Sequence, residues 1–257
     1  MRYHRLIPNA AMIVPALMSF TGGLSLAASS LDNRIEASAK SSYNFKTYLK
    51  GDPIKVECSG GVVTLTGSVS EEWHKSLAEE TVSDLPGVKS VHNQISVADG
   101  QPAEHSDGWV TMKVKSALLF HKHVSGTDTQ VNTQNGVVTL SGSADSDAQK
   151  QLTGEYAKDV EGVKDVRNDL SVSKPAKAAH EGMGAKVDDA SITAQIKTTL
   201  LFHKSTHSLA TKVVTKNGMV TLHGEAENAA ERDLAAKLAA DIEGVKHVDN
   251  RMTVEKS

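Results

Sequence analysis

The same short phrase occurs three times in this chain, and that repetition constrains its fold more than any single motif. Residues 59–67 read SGGVVTLTG, residues 135–142 NGVVTLSG and residues 217–224 NGMVTLHG. A second phrase follows each at a fixed distance: DLPGVKSVHNQISV (84–97), DVEGVKDVRNDLSV (159–172) and DIEGVKHVDNRMTV (241–254). Gly61 and Gly87, Gly136 and Gly162, and Gly218 and Gly244 are each 26 positions apart, so no copy carries an insertion between its phrases. Such self-similarity marks a repeat architecture. The alignment extends to units at 32–98, 107–173 and 189–255, with a flexible linker expected at 174–188.

Each copy opens on helical spacing: Val110, Val114, Ala117 and Leu118 in the second, Ile192, Ile196 and Leu200 in the third. In the first copy (Ile35, Ala39, Tyr43) the pattern is degenerate, and a weak helix is expected there. A short alternating run then reaches Gly60-Gly61, Asn135-Gly136 or Asn217-Gly218, pairs suited to the positive φ angles of a type I′ hairpin turn. Behind the turn, Val138 and Leu140 point one way and Thr139 and Ser141 the other, as alternation in a strand requires. A second helix is expected, with apolar columns Trp73-Leu77-Leu85, Ala148-Leu152-Tyr156-Val160 and Ala230-Leu234-Leu238-Ile242. Gly87, Gly162 and Gly244 are read as left-handed residues ending that helix, and a last apolar strand follows. The expected class is α+β: three tandem α-β-β-α-β units, each a small three-stranded mixed sheet covered on one face by two helices.

The paired phrases carry a resemblance. A turn glycine, V-x-L-x-G, a helix, then G-V-x-x-V-x-N with an apolar strand resembles the BON domain. In the second copy this is Gly136 to Gly142 followed by Gly162-Val163-Lys164-Asp165-Val166-Arg167-Asn168. Three copies in one secreted chain resemble the OsmY-like periplasmic proteins, although two copies are the commoner layout. The resemblance implies no enzymatic activity, a role in osmotic or envelope stress, and binding either to phospholipid surfaces or to unfolded envelope proteins.

The N-terminus agrees with that compartment. Arg2 and Arg5, an apolar stretch from Ile7 to Phe20 and a Ser25-Leu26-Ala27 exit have the build of a signal peptide over residues 1–27, giving a periplasmic location. The competing reading is an uncleaved anchor, for which the apolar part is short and broken by Pro8 and Pro15. Removing residues 1–27 takes away two basic residues and leaves 26 basic against 31 acidic, a net charge of −5. Nucleic-acid binders carry a basic excess, so that class is excluded. The single cysteine, Cys58, excludes an intrachain disulfide. No nucleophile elbow or phosphate-cradling glycine loop appears, so neither a catalytic residue nor a cofactor is expected.

Two constellations remain as candidate sites. Leu118-Leu119-Phe120-His121-Lys122 recurs letter for letter as Leu200-Leu201-Phe202-His203-Lys204. At a helix end, His and Lys complement the negative pole over a buried Phe. The sharper reading is an apolar-plus-basic spot, formed by Phe120, His121, Lys122, Phe202, His203 and Lys204, that touches lipid headgroups or client segments. Asn93, Asn168 and Asn250 hold one position in the last strand and are read as amides satisfying backbone groups at a sheet irregularity rather than as ligand contacts. His121 with His123, or His203 with His207, lacks the further donors a metal needs, so no metal is expected. The leading expectation is a non-enzymatic envelope-maintenance protein with chaperone-like binding of unfolded or outer-membrane clients. A peripheral phospholipid-binding module and an adaptor for another envelope protein are the alternatives. The oligomeric state is left open.

Overall fold

The structure is a computed structural model describing residues 22–98, 100, 102–124, 126, 128–173, 186–206 and 211–254, with side chains from residue 30 onward. Unit 1 contains α1 (Gly22–Ser41), α2 (Tyr43–Thr47), β1 (Ile54–Ser59), β2 (Val62–Val69), α3 (Glu72–Ser83) and β3 (Ser90–Val97). Unit 2 contains α4 (Asp107–Leu119), β4 (Thr129–Gln134), β5 (Val137–Ala144), α5 (Asp147–Lys158), β6 (Asp165–Asn168) and β7 (Ser171–Val172). Unit 3 contains α6 (Asp189–Phe202), β8 (Lys212–Lys216), β9 (Met219–His223), β10 (Glu225–Ala226), α7 (Ala229–Ala240), β11 (His247–Asn250) and β12 (Thr253–Val254). In every unit the hairpin is antiparallel and the last strand runs parallel to its second member, which is central. The architecture is therefore α+β, in three mixed sheets. Val63 and Leu65, Val138 and Leu140, and Val220 and Leu222 are all buried against the helices.

The repeated phrases explain one another. Asn135 and Gly136 have φ of 54° and 81°, Asn217 and Gly218 54° and 77°, Gly60 and Gly61 61° and 84°, all positive as the type I′ hairpin needs. An aspartate in the first helix clasps the two amides of each turn. Asp107 accepts from Asn135 N and Gly136 N at 2.7 and 2.8 Å, and Asp189 from Asn217 N and Gly218 N at 2.6 and 2.8 Å. Asp32 does the same with Gly60 N and Gly61 N at 2.8 and 2.9 Å. That donation, led by Gly60 and opposed by partial burial, holds the Asp32 carboxyl below the usual carboxylate range. The turn glycine's carbonyl in turn accepts from the backbone of Lys89, Lys164 or Lys246 in the second phrase. A Cβ on Gly61 or Gly218 would lie 2.8 Å from the carbonyl oxygen of Gly87 or Gly244. The two phrases touch, which is why their spacing tolerates no insertion.

Substituting Asp107→Ala removes two charge-assisted acceptors from one turn and is expected to destabilise unit 2 by about 2 kcal/mol, with Asp107→Asn losing about half of that. Urea unfolding of the full mature chain measures both, and equal stability of all three proteins would dismiss the clasp.

Several local expectations are corrected. The first helix of unit 1 is not weak: α1 is the longest helix, burying Ile35 and Ala39, and Ser42 restarts the chain as α2 by accepting from Phe45 N. Residues 1–21 of the expected signal peptide, and residues 174–185 of the expected linker, lie outside the described residues. Gly87, Gly162 and Gly244 do not end the second helix, whose caps are Asp84, Asp159 and Asp241. Each sits three residues further on, at the third position of a turn closed by Val88 N to Leu85 O, Val163 N to Val160 O or Val245 N to Ile242 O. Positive φ at that position, with Pro86 before Gly87, is the pattern of a type II turn. The second-helix stripe is shifted in part: Val160, Leu238 and Ile242 are buried as expected, but Thr153 and Ala157 are buried in place of Leu152 and Tyr156, and Ala235 in place of Leu234, while Ala148 and Ala230 are exposed. Small side chains let helix and sheet approach closely, and Leu152, Tyr156 and Leu234 flank the contact.

Unit 3 packs against both others. Its helix α6 is buried over most of its length, from Ala190 to Phe202. Towards unit 1 the joint is polar. Asn44, wholly buried, donates to Thr81 Oγ1 (2.8 Å) and the Ser191 carbonyl (3.2 Å) and accepts from Gln195 Nε2 (2.7 Å). Lys197 bridges Glu80 and Asp84 at 2.8 and 3.4 Å.

Candidate functional site

The Phe and His of both duplicated Leu-Leu-Phe-His-Lys ends are buried, while Lys122, Lys204 and Leu201 are exposed. The two ends meet at the joint between units 2 and 3, each docked on the C-terminal end of the other unit's second helix. Helix α4 leads into His121, which pairs in a backbone bridge with Ile242, and helix α6 leads into His203, which pairs the same way with Val160. Lys122 N donates to the Asp241 carbonyl at 2.9 Å, and Lys204 N to the Asp159 carbonyl at 2.8 Å. The ammonium of Lys122 reaches the Ala240 carbonyl (2.6 Å) and that of Lys204 the Lys158 carbonyl (2.9 Å). The last carbonyls of α7 and α5 lack partners within their own helices, and cations there meet the negative pole. The basic residues therefore do cap helix ends, but those of the neighbouring unit. Contacts made by one copy are returned by its counterpart, the reciprocity of a two-fold interface within one chain.

The ring nitrogens sit deep in this joint. The side chains of His121 and His203 are 0% and 1% exposed. His203 Nδ1 lies 3.1 Å from Asp159 Oδ2, and its Nε2 has no partner. His121 Nδ1 lies 3.1 Å from Asp241 Oδ2 without hydrogen-bond alignment, and its Nε2 is also unpartnered. The His121 ring stacks on Tyr156 with centroids 4.1 Å apart and faces the His203 ring edge-on at 5.8 Å. Asp241 further accepts from the Tyr156 hydroxyl at 3.0 Å and pairs with the exposed His123, and Asp159 accepts from Ser205. Burial pushes the His121 pKa below the ordinary imidazole value, against the pull of Asp241 and with a small push from His203 and His123. Burial would raise Asp241, but its histidine contacts outweigh that and leave it below the usual carboxylate range; Asp159 is lowered the same way by His203 and Ser205.

Phe120 and Phe202 are 1% and 7% exposed. Phe120 packs edge-on against Tyr48 (5.0 Å) and Trp73 (5.7 Å) of unit 1, so it joins units 1 and 2 as well. Of the apolar letters in the duplicated phrase, Leu201 alone is strongly exposed, at 53%. Sequence reasoning passed over Asp159, Asp241 and Tyr156. The signal was present: both aspartates open the second repeated phrase, and the Leu-Leu-Phe-His-Lys phrase is intact in only two copies, the two that pair.

Asn168 and Asn250 end the first segment of the last strand in units 2 and 3, whereas Asn93 lies within the unbroken β3 of unit 1. Asn93, Asn168 and Asn250 accept from the amide two residues on (Ile95, Leu170, Met252; 3.1, 3.3 and 3.1 Å). Their amide groups donate to second-helix carbonyls of Lys75, Lys150 and Arg232 at 3.2, 2.6 and 2.8 Å.

Each sheet leaves one face uncovered by its own helices, and the three faces differ. Unit 3 presents Val214 and Met219, both strongly exposed, among Lys212, Lys216, His223 and His247. Register places Met219 between Lys216 and His247, and Lys212 beside His223. The matching positions in unit 2 are Gln134, Val137 and Asp165, and Gln130 and Ser141, without the lysines. Among the described residues, no three His, Cys, Asp or Glu side chains are placed to hold a metal, and no helix is long and apolar enough to cross a membrane; His207 lies outside them. The Cys58 thiol is pushed up to about 11 by burial and by the Asp32 carboxylate, so it is not a thiolate nucleophile near neutrality.

The sequence is similar to those of known proteins. The chain is 38% identical over 144 residues to osmotically-inducible protein Y of Escherichia coli (strain K12), covering 56% of this chain and 70% of that protein. It is 32% identical over 115 residues to the 21 kDa hemolysin of Actinobacillus pleuropneumoniae, and 32% identical over 108 residues to outer membrane lipoprotein DolP of Haemophilus influenzae. It spans 59% and 55% of those two proteins, less than two thirds of each. The BON domain family matches at residues 31–99, 106–174 and 188–256. With three matches across most of its length, the chain belongs to the BON-domain family.

Proposed function

We propose that this is a non-enzymatic periplasmic protein of osmotic or envelope stress that holds unfolded or outer-membrane client proteins, delivered by a signal peptide over residues 1–27. The observation that carries the reading is how the units are joined. Their apolar helix ends, Phe120 and Phe202 among them, are sealed by contacts laced with buried polar groups: Asn44, Gln195, His121 and His203. Joints of that composition resemble separable protein–protein contacts rather than a domain core. Units able to part would offer a client several apolar patches on one chain, and linked weak contacts bind more strongly together than singly. The relatives named for osmotic induction and for the outer membrane favour the same compartment.

A second reading, peripheral attachment to phospholipid, is favoured by one observation: the unit 3 sheet face, with Val214 and Met219 set among Lys212 and Lys216. Basic residues around exposed apolar ones suit an anionic bilayer surface. The mature net charge of −5 opposes it.

One pair of assays separates them. The mature chain is expected to slow aggregation of a denatured outer-membrane protein at equimolar ratio, and Val214→Ser with Met219→Ser is expected to leave that effect intact. No effect on aggregation, together with sedimentation on anionic liposomes that the double variant abolishes, would replace the client reading by the phospholipid one.

A further inference from the structure

Two buried imidazoles facing each other across a joint between units are an unusual way to glue a protein together. Both rings are wholly buried there, His121 stacked on Tyr156 and each histidine bridged through its backbone to Ile242 or Val160. Both rings leave Nε2 buried without a partner, an arrangement tolerable for a neutral imidazole and costly for a cation. We infer that the joint between units 2 and 3 is an acid-operated latch: below neutral pH the buried His121 takes up a proton, the paired helix ends part, and Phe202 and its surroundings become accessible.

The groups that face these rings decide the sign. His121 meets Asp241 at the end of α7, Tyr156 on α5, His123 on its own segment and His203 across the joint. His203 meets Asp159 at the end of α5, with Tyr156 at 5.7 Å. Lys122 and Lys204 point at helix carbonyls and add positive charge at the rim. A carboxylate beside a histidine favours the cation. Here, however, Asp241 already accepts from Tyr156 and pairs with His123, so its charge is shared before His121 gains a proton.

The net result for His121 is a value below the ordinary one while latched. A group depressed in the closed form and ordinary, near 6.5, in the open form leaves the latch at full strength above about pH 6.5 and weakens it as the pH falls. Asp241 and Asp159 are lowered in the closed form, so they remain ionised through this window and neither offset nor add to the effect. For one histidine that stays neutral while latched, moving from pH 7.5 to 5.5 shifts the open-to-closed ratio about tenfold.

The backbone supplies its own reporters. The amides of Lys122 and Lys204 donate across the joint, to Asp241 and Asp159, so hydrogen-exchange protection at these two positions reads the latch directly. In the full mature chain, protection at both, corrected for the intrinsic pH dependence of exchange, is expected to fall about tenfold or more between pH 7.5 and 5.5. Central-strand amides at Val138, Leu140 and Val220 are expected to keep theirs. His121→Gln with His203→Gln should remove the pH dependence, whereas His123→Gln, at an exposed ring, should keep it. Constant protection at Lys122 and Lys204 in the wild type would overturn the latch, and so would a fall shared equally by the central strands, which is global unfolding. The wild-type profile decides the matter alone if the double variant does not fold. What the opened joint meets rests on the client-binding reading, so a parallel aggregation assay is expected to show stronger protection of the client at pH 5.5. Exchange that responds without any gain in the aggregation assay keeps the latch and discards the client; a silent exchange profile discards the latch whatever the client does.

Discussion

Gly142→Ala is expected to destabilise unit 2 by about 3–5 kcal/mol, one of the largest effects available to a single methyl group in this protein. The residue closes the phrase NGVVTLSG at a φ of 119°, where side-chain-bearing residues are rarely found. A Cβ there would lie 2.3 Å from the carbonyl oxygen of Asp128, and that neighbour is backbone and cannot swing away. Unit 1 repeats the constraint: Gly67 has a φ of 120°, with Pro53 O 2.0 Å from the added carbon. Gly51→Ala is the matched control, since nothing lies within 4 Å of its added Cβ; that change should fall within about 0.5 kcal/mol of wild type. Thermal and urea unfolding of the mature chain measure all three. The comparison also decides what the repeated phrase is for. A glycine kept for close approach of a ligand would give a stable variant that fails to bind, whereas a glycine kept for the backbone gives an unstable one. Stability of Gly142→Ala within about 1 kcal/mol of wild type would reopen the phrase as a binding motif.

The fold was legible because each unit is specified by short-range signals that repeat. The Asn-Gly turns, the Val-x-Leu alternation and the fixed 26-residue spacing are local facts, and a threefold repeat filters accident from pattern. Where the reading slipped, a long-range contact had decided the outcome. Four-residue spacing points the α5 stripe at Leu152 and Tyr156, but the buried positions are Thr153 and Ala157, with Leu152 and Tyr156 half-buried beside them. Gly162 was placed at the helix end because Asp159 was not recognised as the cap, and the turn beyond it lies outside any helical period. The clasp from Asp107 to Asn135 spans 28 residues and leaves no trace in composition or periodicity.

The candidate site was legible as a phrase but not as a place. Phe120-His121-Lys122 and Phe202-His203-Lys204 read as an apolar-plus-basic helix end, which is correct chemistry for each copy alone. What one copy cannot reveal is that its partner is the other copy. Identity between two copies and its absence from the third is a pairing signal of the kind co-variation gives between homologues, here held within one chain. The polar joint to unit 1 was less readable still, since Asn44 on α2 meets Ser191 and Gln195 on α6 with nearly 150 residues between them and no shared motif.

Phe120→Ala is expected to cost about 3–5 kcal/mol and to loosen unit 1 from unit 2, the second of the two largest effects. The ring is 1% exposed and stands nearly perpendicular to Tyr48 and Trp73, at 87° and 77°. Burial of the phenyl group supplies most of the loss, and each aromatic pair adds about 0.5–1.5 kcal/mol. Trp73 is a built-in reporter: with Phe120 removed, its half of the joint meets water and its fluorescence should shift to the red before the sheets unfold. Leu201→Ala, in the same duplicated phrase but 53% exposed, should change stability by no more than about 0.5 kcal/mol. The contrast separates two roles that the sequence assigns equally to the phrase. If Phe120 served only as an open contact for lipid or client, its loss would weaken binding and leave unfolding and Trp73 emission at wild-type values. If it seals a joint, stability and emission change first, and any binding variant built on it must be judged against that loss. Leu201 and the unit 3 pair Val214 and Met219 are therefore the positions at which binding can be tested without breaking the molecule apart.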